Sequence, residues 1–274
     1  MKRALESVLC LLLSALSLFF VAAPANAQQP GPQPLVGPIE HFEFLSRYDF
    51  QLEVNVLSGD NGNQYRWDAH YGGAVDVFNY VKGRTSFVGD YEVVLGSELR
   101  PFDPNQGNYI LEPSTSWFVG DNEFAFVFHH VSRHLSDRPK TYAVAYNALL
   151  GRYLRKFQFG DNSVSVRTSA GHLAQHSQVD YTWTVDWDVM ARHHMNPHLE
   201  WYGRTTGEVF GVDPLIRLEN RGVQHTARLE IGTILTGTKA NLELFVGAEH
   251  RLDASLLDFV PVSWAIAGFR IVNK

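Results

Sequence analysis

The chain has 274 residues, a single cysteine and a formal net charge of −6. That mild acidity argues against a nucleic-acid partner, which binds by having its phosphates neutralised by Lys and Arg. One cysteine cannot build a disulfide framework, so the fold must be held by packing or by a membrane.

Taken from the start, residues 1–27 have the three parts of a secretory signal. Lys2 and Arg3 open it, Leu9 to Ala23 form an apolar run that contains Cys10, and Ala25-Asn26-Ala27 offers a small-x-small cleavage site. The run is short for a membrane-spanning helix, which needs about 20 residues. Residues 28–40 (QQPGPQPLVGPIE) are rich in Pro, Gly and Gln and read as a flexible entry segment. The remainder, 41–274, is expected to form one domain. No stretch of it approaches about 18 consecutive apolar residues, so any membrane crossing there must be made by strands.

Turn signals punctuate the whole domain: Ser58-Gly59-Asp60-Asn61-Gly62, Gly120-Asp121-Asn122, Gly160-Asp161-Asn162, Asn196-Pro197 and Thr236-Gly237-Thr238 are examples. Between them the pattern alternates with period 2, as strands with two unlike faces do. Phe50, Leu52, Val54 and Val56 alternate with Gln51, Glu53 and Asn55. Tyr181, Trp183, Val185, Trp187 and Val189 alternate with Thr182, Thr184, Asp186 and Asp188. Leu242, Leu244 and Val246 alternate with Asn241, Glu243 and one exception, Phe245. Such segments run to about ten residues, against about five or six for ordinary strands, and ten tilted residues match a bilayer. The expected fold is all-β, an antiparallel up-and-down barrel of about 10–12 strands of the outer-membrane type.

Periodicity alone also fits a soluble periplasmic barrel or sandwich with its apolar face inward. Aromatic residues near strand ends favour the membrane: Trp67, Tyr71, Tyr109, Trp117, Tyr153, Phe157, Trp201, Tyr202 and Trp264 are placed like interfacial girdles. Mid-strand charges such as Glu53, Asp76, Asp186, Asp188 and Glu243 would then line a lumen. The chain's end, Arg270-Ile271-Val272-Asn273-Lys274, with Phe269 displaced inward, lacks the terminal aromatic of many such barrels.

The stretch richest in chemistry is Asn122 to Asp137, NEFAFVFHHVSRHLSD. In an extended strand Phe124, Phe126, Phe128, His130, Ser132 and His134 all point one way. A histidine and a serine on a lipid-facing surface are costly unless they pair with one another or with an acyl-ester substrate. A hydroxyl beside an imidazole is the minimal activated nucleophile.

This His-x-Ser step, preceded by alternating phenylalanines, is similar to the active-site strand of two outer-membrane lipid hydrolases, the lipid A 3-O-deacylase and the outer-membrane phospholipase A. The resemblance implies His130 as general base and Ser132 as nucleophile, with His134 or Asp137 orienting the base. In both families a Glu or Asn stands twelve positions after the serine; here that position is Val144, flanked on its own face by Tyr142 and Tyr146. The nearest polar candidates for that role are Asn147, on the opposite parity to Val144, and Asp137, in the adjoining turn. The phospholipase pattern continues with Asn-Gly, where this chain has Arg133-His134. The fuller pattern His130-x-Ser132-x-His134-Leu135-x-Asp137 resembles an uncharacterised family of outer-membrane-type proteins carrying H-x-S-S-H-L-G-D. Asp68-x-x-Tyr71-Gly72-Gly73 and Phe102-Asp103 share that likeness, which spans residues 60–140.

His130/His134, His172/His176 and His194/His198 repeat the H-x-x-x-H spacing, but on strands each pair is about 13 Å apart, too far for one ion. With no Gly-rich phosphate loop, Cys-x-x-Cys or Gly-x-Ser-x-Gly, neither cofactor nor metal is expected. Asp186 and Asp188 share a face and read as lumen wall before acid–base pair. The expected partners are membrane lipids, phospholipid or lipopolysaccharide. Three functions stay open: a lipid-acting serine hydrolase of the outer membrane, a passive barrel serving as pore, adhesin or structural component, and, behind these, a soluble periplasmic binding barrel.

Overall fold

The computed structural model describes residues 41–59, 63–135, 144–213, 215, 222–255 and 260–273. The expected signal segment, the entry segment and Asp137 lie outside them. Twelve strands follow in order: β1 Phe42–Ser58, β2 Trp67–Tyr80, β3 Arg84–Gly96, β4 Asp103–Val119, β5 Asn122–His134, β6 Val144–Phe159, β7 Asn162–Ser177, β8 Tyr181–Asn196, β9 Leu199–Val212, β10 Gln224–Thr236, β11 Ala240–Arg251 and β12 Val262–Asn273. Each strand pairs with its chain neighbours, and β1 pairs antiparallel with β12, closing the sheet into a barrel. None of the described residues is helical.

Closure decides between the two faces that periodicity leaves equivalent. Phe50 and Val56 are exposed on the outside, while Gln51, Glu53 and Asn55 are buried inside. The polar face is therefore the interior, the inverse of a soluble barrel. Trp183 and Val185 of β8 and Leu244 and Val246 of β11 are also exposed outside. Phe245, the exception on β11, points inward and lies between two guanidinium groups, 5.1 Å from Arg228 and 5.2 Å from Arg270. Two residues expected in the aromatic girdle belong to the interior instead: Tyr202 and Trp264 are each 3 % exposed. Both occupy even positions, and even positions face inward on β9 and β12.

Buried carboxylates and arginines cross-link the interior. Arg270 of β12 contacts Glu53 at 2.7 Å, Glu243 at 2.5 Å and Glu230 at 3.0 Å. Arg84 clamps Glu123 at 2.7 and 2.8 Å, and Arg152 clamps Glu112 at 2.8 Å through both terminal nitrogens. Asp188 takes two bonds from Arg204, at 2.9 and 2.6 Å, and Asp186 accepts one from Ser169. These pairings account for the two aspartates structurally. Charges withdrawn from water persist only when paired in this way. Nearer one end the lumen is filled by an apolar cluster that includes Tyr146, Tyr181, Phe210 and Leu252, with the Tyr181 and Phe210 rings stacked 4.2 Å apart.

The two ends differ. Turns at 81–83, 120–121, 160–161, 197–198 and 237–239 gather at one end, together with the outer termini of β1 and β12. The strand ends that flank the longer connections 59–66, 97–102, 135–143, 213–223 and 252–261 lie at the other, with the short 178–180 link. The apolar lumen cluster and the end of β5 lie at this long-loop end.

Candidate active site

On β5 the alternation places Phe124, Phe126 and Phe128 outside, 37–50 % exposed, and buries Glu123, Ala125, Val127 and His129 inside. His130, Ser132 and His134 continue the outer row toward the long-loop end and are half-buried. The sheet fixes their neighbours. Ser132 is flanked by Tyr109 of β4 and Ala145 of β6, and His130 by Leu111 and Asn147. Ala145 is small and leaves the Ser132 side chain uncrowded on that side, while Tyr109 stands edge-on to the His134 ring at 5.4 Å.

Two hydrogen bonds organise the row. Ser132 Oγ lies 2.8 Å from His134 Nε2. His130 Nδ1 lies 2.6 Å from Asn147 Oδ1, and Asn147 Nδ2 donates to Gln175 Oε1 at 3.1 Å. The second bond sets the orientation of the Asn147 amide, so its oxygen faces His130. An amide oxygen only accepts, so Nδ1 of His130 is the donor in this bond, and in the neutral imidazole Nε2 is then the acceptor. Thus His134 touches the serine, whereas His130 is the imidazole held by a polar partner.

Asn147 is the residue that counting positions misses. Register pairs even residues of β5 with odd residues of β6, so Asn147 faces outward opposite His130, while Val144 and Tyr146 point into the lumen. A fixed twelve-residue offset from the serine lands on the inward face because Ser132 pairs with Ala145, which puts the odd residues of β6 on the outside. A polar residue at an odd position in an otherwise apolar outer row (Ala145, Leu149, Gly151) was the available signal.

Of the remaining histidine pairs, His194 lies near the end of β8 and His198 in the turn that follows, so the strand spacing expected to separate them does not apply. His172 belongs to the outer row of β7, where a bulge at Ala174 separates it from Gln175 and His176. Another outer-face pair, His250 Nδ1 and Ser263 Oγ, lies 2.8 Å apart on β11 and β12, with His225 stacked on His250.

No family model matches the chain, and comparison with curated proteins finds no match, so the likeness of residues 60–140 to an uncharacterised family remains a resemblance of motif. Solved structures do match. Outer membrane phospholipase A from Escherichia coli superposes with a TM-score of 0.51 at 11 % identity, over 84 % of this chain and 98 % of that one. The outer membrane phospholipase dimer of Salmonella typhi with bound calcium gives 0.51 at 11 % identity, over 82 % and 90 %. An active-site mutant of the Escherichia coli enzyme gives 0.50 at 10 % identity, over 84 % and 91 %. At these identities the likeness is one of architecture, and this chain has the closed antiparallel β-barrel fold of outer-membrane proteins.

Proposed function

We propose that this protein is an outer-membrane acyl-ester hydrolase acting on membrane lipid, with Ser132 as nucleophile and His130, oriented by Asn147, as general base. The observation that carries the reading is the 2.6 Å His130–Asn147 bond one strand step from a half-buried serine, on the outer surface at the long-loop end. A base needs a third group to fix its tautomer, and Asn147 supplies it. At rest the Ser132 hydroxyl is held by His134 at 2.8 Å. Ser132 stands between the two imidazoles in the row, and rotation about its Cα–Cβ bond carries Oγ toward His130. There the hydroxyl gives its proton to Nε2 as Oγ attacks the acyl carbonyl. The imidazolium then protonates the departing alkoxide, and water, deprotonated by the same imidazole, releases the fatty acid.

Placement supports a lipid substrate. Outer-membrane barrels keep short turns on the periplasmic side and long loops outside, and in that orientation Ser132 would lie at the level of the outer leaflet's esters. Acyl chains would then run down the apolar surface of Phe128, Leu111 and Leu149, which are exposed below it. The Escherichia coli and Salmonella typhi neighbours are phospholipases, and the mutant of the former exchanges an active-site asparagine for alanine, the residue type that holds His130 here.

A passive pore needs an open lumen. The Arg–carboxylate network and the Tyr146, Tyr181 and Phe210 cluster occupy this one instead.

The test is release of fatty acid from vesicles of phosphatidylethanolamine, with and without lipopolysaccharide, by the refolded protein. Wild type is expected to liberate fatty acid and Ser132→Ala to liberate none while folding normally. Absence of release by folded wild type from both vesicle types would overturn the proposal.

A further inference from the structure

Inside the barrel, away from the outer surface that bears Ser132, four polar residues of three adjacent strands form a compact group. His70 of β2, Glu92 of β3 and Asn108 of β4 are lateral neighbours in one row, and Asp68 lies two residues before His70 on the same inward face. One oxygen or nitrogen from each of Asp68, His70 and Glu92 falls within 4.8 Å of the others. Asp68, His70 and Asn108 are 0, 2 and 4 % exposed. His70, Glu92 and Asn108 line a cavity of about 110 Å³, bounded toward the long loops by Val179, Leu252 and Asp253.

Clustered acids alone would not make a site, and Arg251 already satisfies part of this one. Its terminal nitrogens bond Asp68 at 2.7 Å, Glu92 at 2.6 Å and Glu249 at 2.6 Å. Three further observations point to a ligand. First, Asp90 accepts a bond from His70 Nδ1 at 2.7 Å, while the fully buried His70 Nε2 makes no hydrogen bond and lies 3.5 Å from Asp68 Oδ2. A carboxylate behind Nδ1, with Nε2 turned toward a second carboxylate at more than bonding distance, is an arrangement that orients a metal-ligating histidine. Second, Asp68 Oδ1 and Asn108 Oδ1 are buried acceptors without donors; Asn108 uses its amide nitrogen on Glu92 at 2.5 Å and lines the cavity. Third, the charges do not balance. Asp68, Glu92 and Glu249 share Arg251, Asp90 and Asp68 face the one imidazole of His70 at 2.7 and 3.5 Å, and the other nearby guanidinium, Arg228, is bonded to Glu53 at 2.5 Å and Glu230 at 2.7 Å and reaches Glu249 only at 3.6 Å. Buried carboxylates are neutralised by pairing or by a metal.

We propose that Asp68, His70 and Glu92, with the Asn108 amide oxygen, form a binding site for a divalent transition-metal ion in the barrel interior. One imidazole with two carboxylates suits zinc, and next manganese. Arg251 keeps one oxygen of each carboxylate and neutralises the excess charge, and Asp90 fixes the His70 tautomer. The ion would tie β2 and β3 to the Arg251 cluster of β11 under the long loops.

The experiment is zinc binding to the whole refolded protein in detergent, first stripped with chelator, by equilibrium dialysis with metal analysis and with manganese run in parallel. Wild type is expected to retain one ion per chain. His70→Ala should lose that ion, and Asp90→Asn should bind it about 10–100-fold more weakly. Histidines on the outer surface can also take up zinc, so a His172→Ala/His176→Ala double variant is included and is expected to bind as wild type does. Should His70→Ala fail to fold, Asp90→Asn and the visible spectrum of the wild type loaded with cobalt decide whether an imidazole–carboxylate site holds the ion. Uptake of neither metal by wild type, or uptake unaffected by His70→Ala and Asp90→Asn, would overturn the site. The fatty-acid assay is independent of this result.

Discussion

If the apolar row of β11 faces hydrocarbon, a charge placed in its middle is costly. Val246 is 61 % exposed on the outer face, opposite Ile231, and lies six residues from Ala240 and five from Arg251. At about 3.4 Å per residue and a tilt near 40°, that is roughly 13–16 Å of depth from either end of the strand, the centre of an apolar band about 25 Å tall. Val246→Arg should therefore cost about 2–4 kcal/mol in a bilayer. Ala240→Arg, at the strand end, should cost about 0–1 kcal/mol, since the penalty fades at the interface. The assay is equilibrium unfolding by denaturant of protein refolded into lipid vesicles, each variant against wild type. On a surface bathed by water, arginine for an exposed valine would be nearly neutral. Equal stabilities for Val246→Arg and wild type would rule out hydrocarbon as the surroundings of this row.

Arg270→Met takes from Glu53, Glu230 and Glu243 the one arginine that contacts all three and leaves Glu53 and Glu230 to share Arg228; it should lower stability by about 3–5 kcal/mol in the same unfolding experiment. Asn147→Ala removes the oxygen that fixes His130 and spares the Ser132–His134 bond; kcat for fatty-acid release should fall about a hundredfold or more with KM little changed. In planar bilayers the wild type should insert without conductance steps, because the arginine network and the aromatic cluster fill the lumen; regular steps would show that the interior opens.

Much of the barrel is legible in the residues themselves. A chain that alternates Phe50, Leu52, Val54 and Val56 with Gln51, Glu53 and Asn55 has to give its two faces different surroundings. What one strand cannot tell is which face is outside, since that depends on β1 meeting β12 over two hundred residues away. The same ignorance of parity put Tyr202 and Trp264 in the girdle and Asn147 on the far side of the sheet. Register is a property of two strands and their connection, and one residue of slip exchanges the faces. The His130, Ser132, His134 row could be read because it is local. The Asp68, His70 and Glu92 group could not, because it joins two strands and only the Asp-x-His step is continuous in sequence.

Whether Ser132 is a reactive hydroxyl presented to lipid is settled by covalent capture. Refolded protein in lipid vesicles, treated with a long-chain alkyl fluorophosphonate, is digested and read by mass spectrometry. One adduct on Ser132 is expected in wild type, sharply reduced in His130→Ala, with Ser263 and the other serines unmodified. No adduct, or an adduct rate at Ser132 that does not change when His130 is removed, would contradict the assignment of this pair as nucleophile and base.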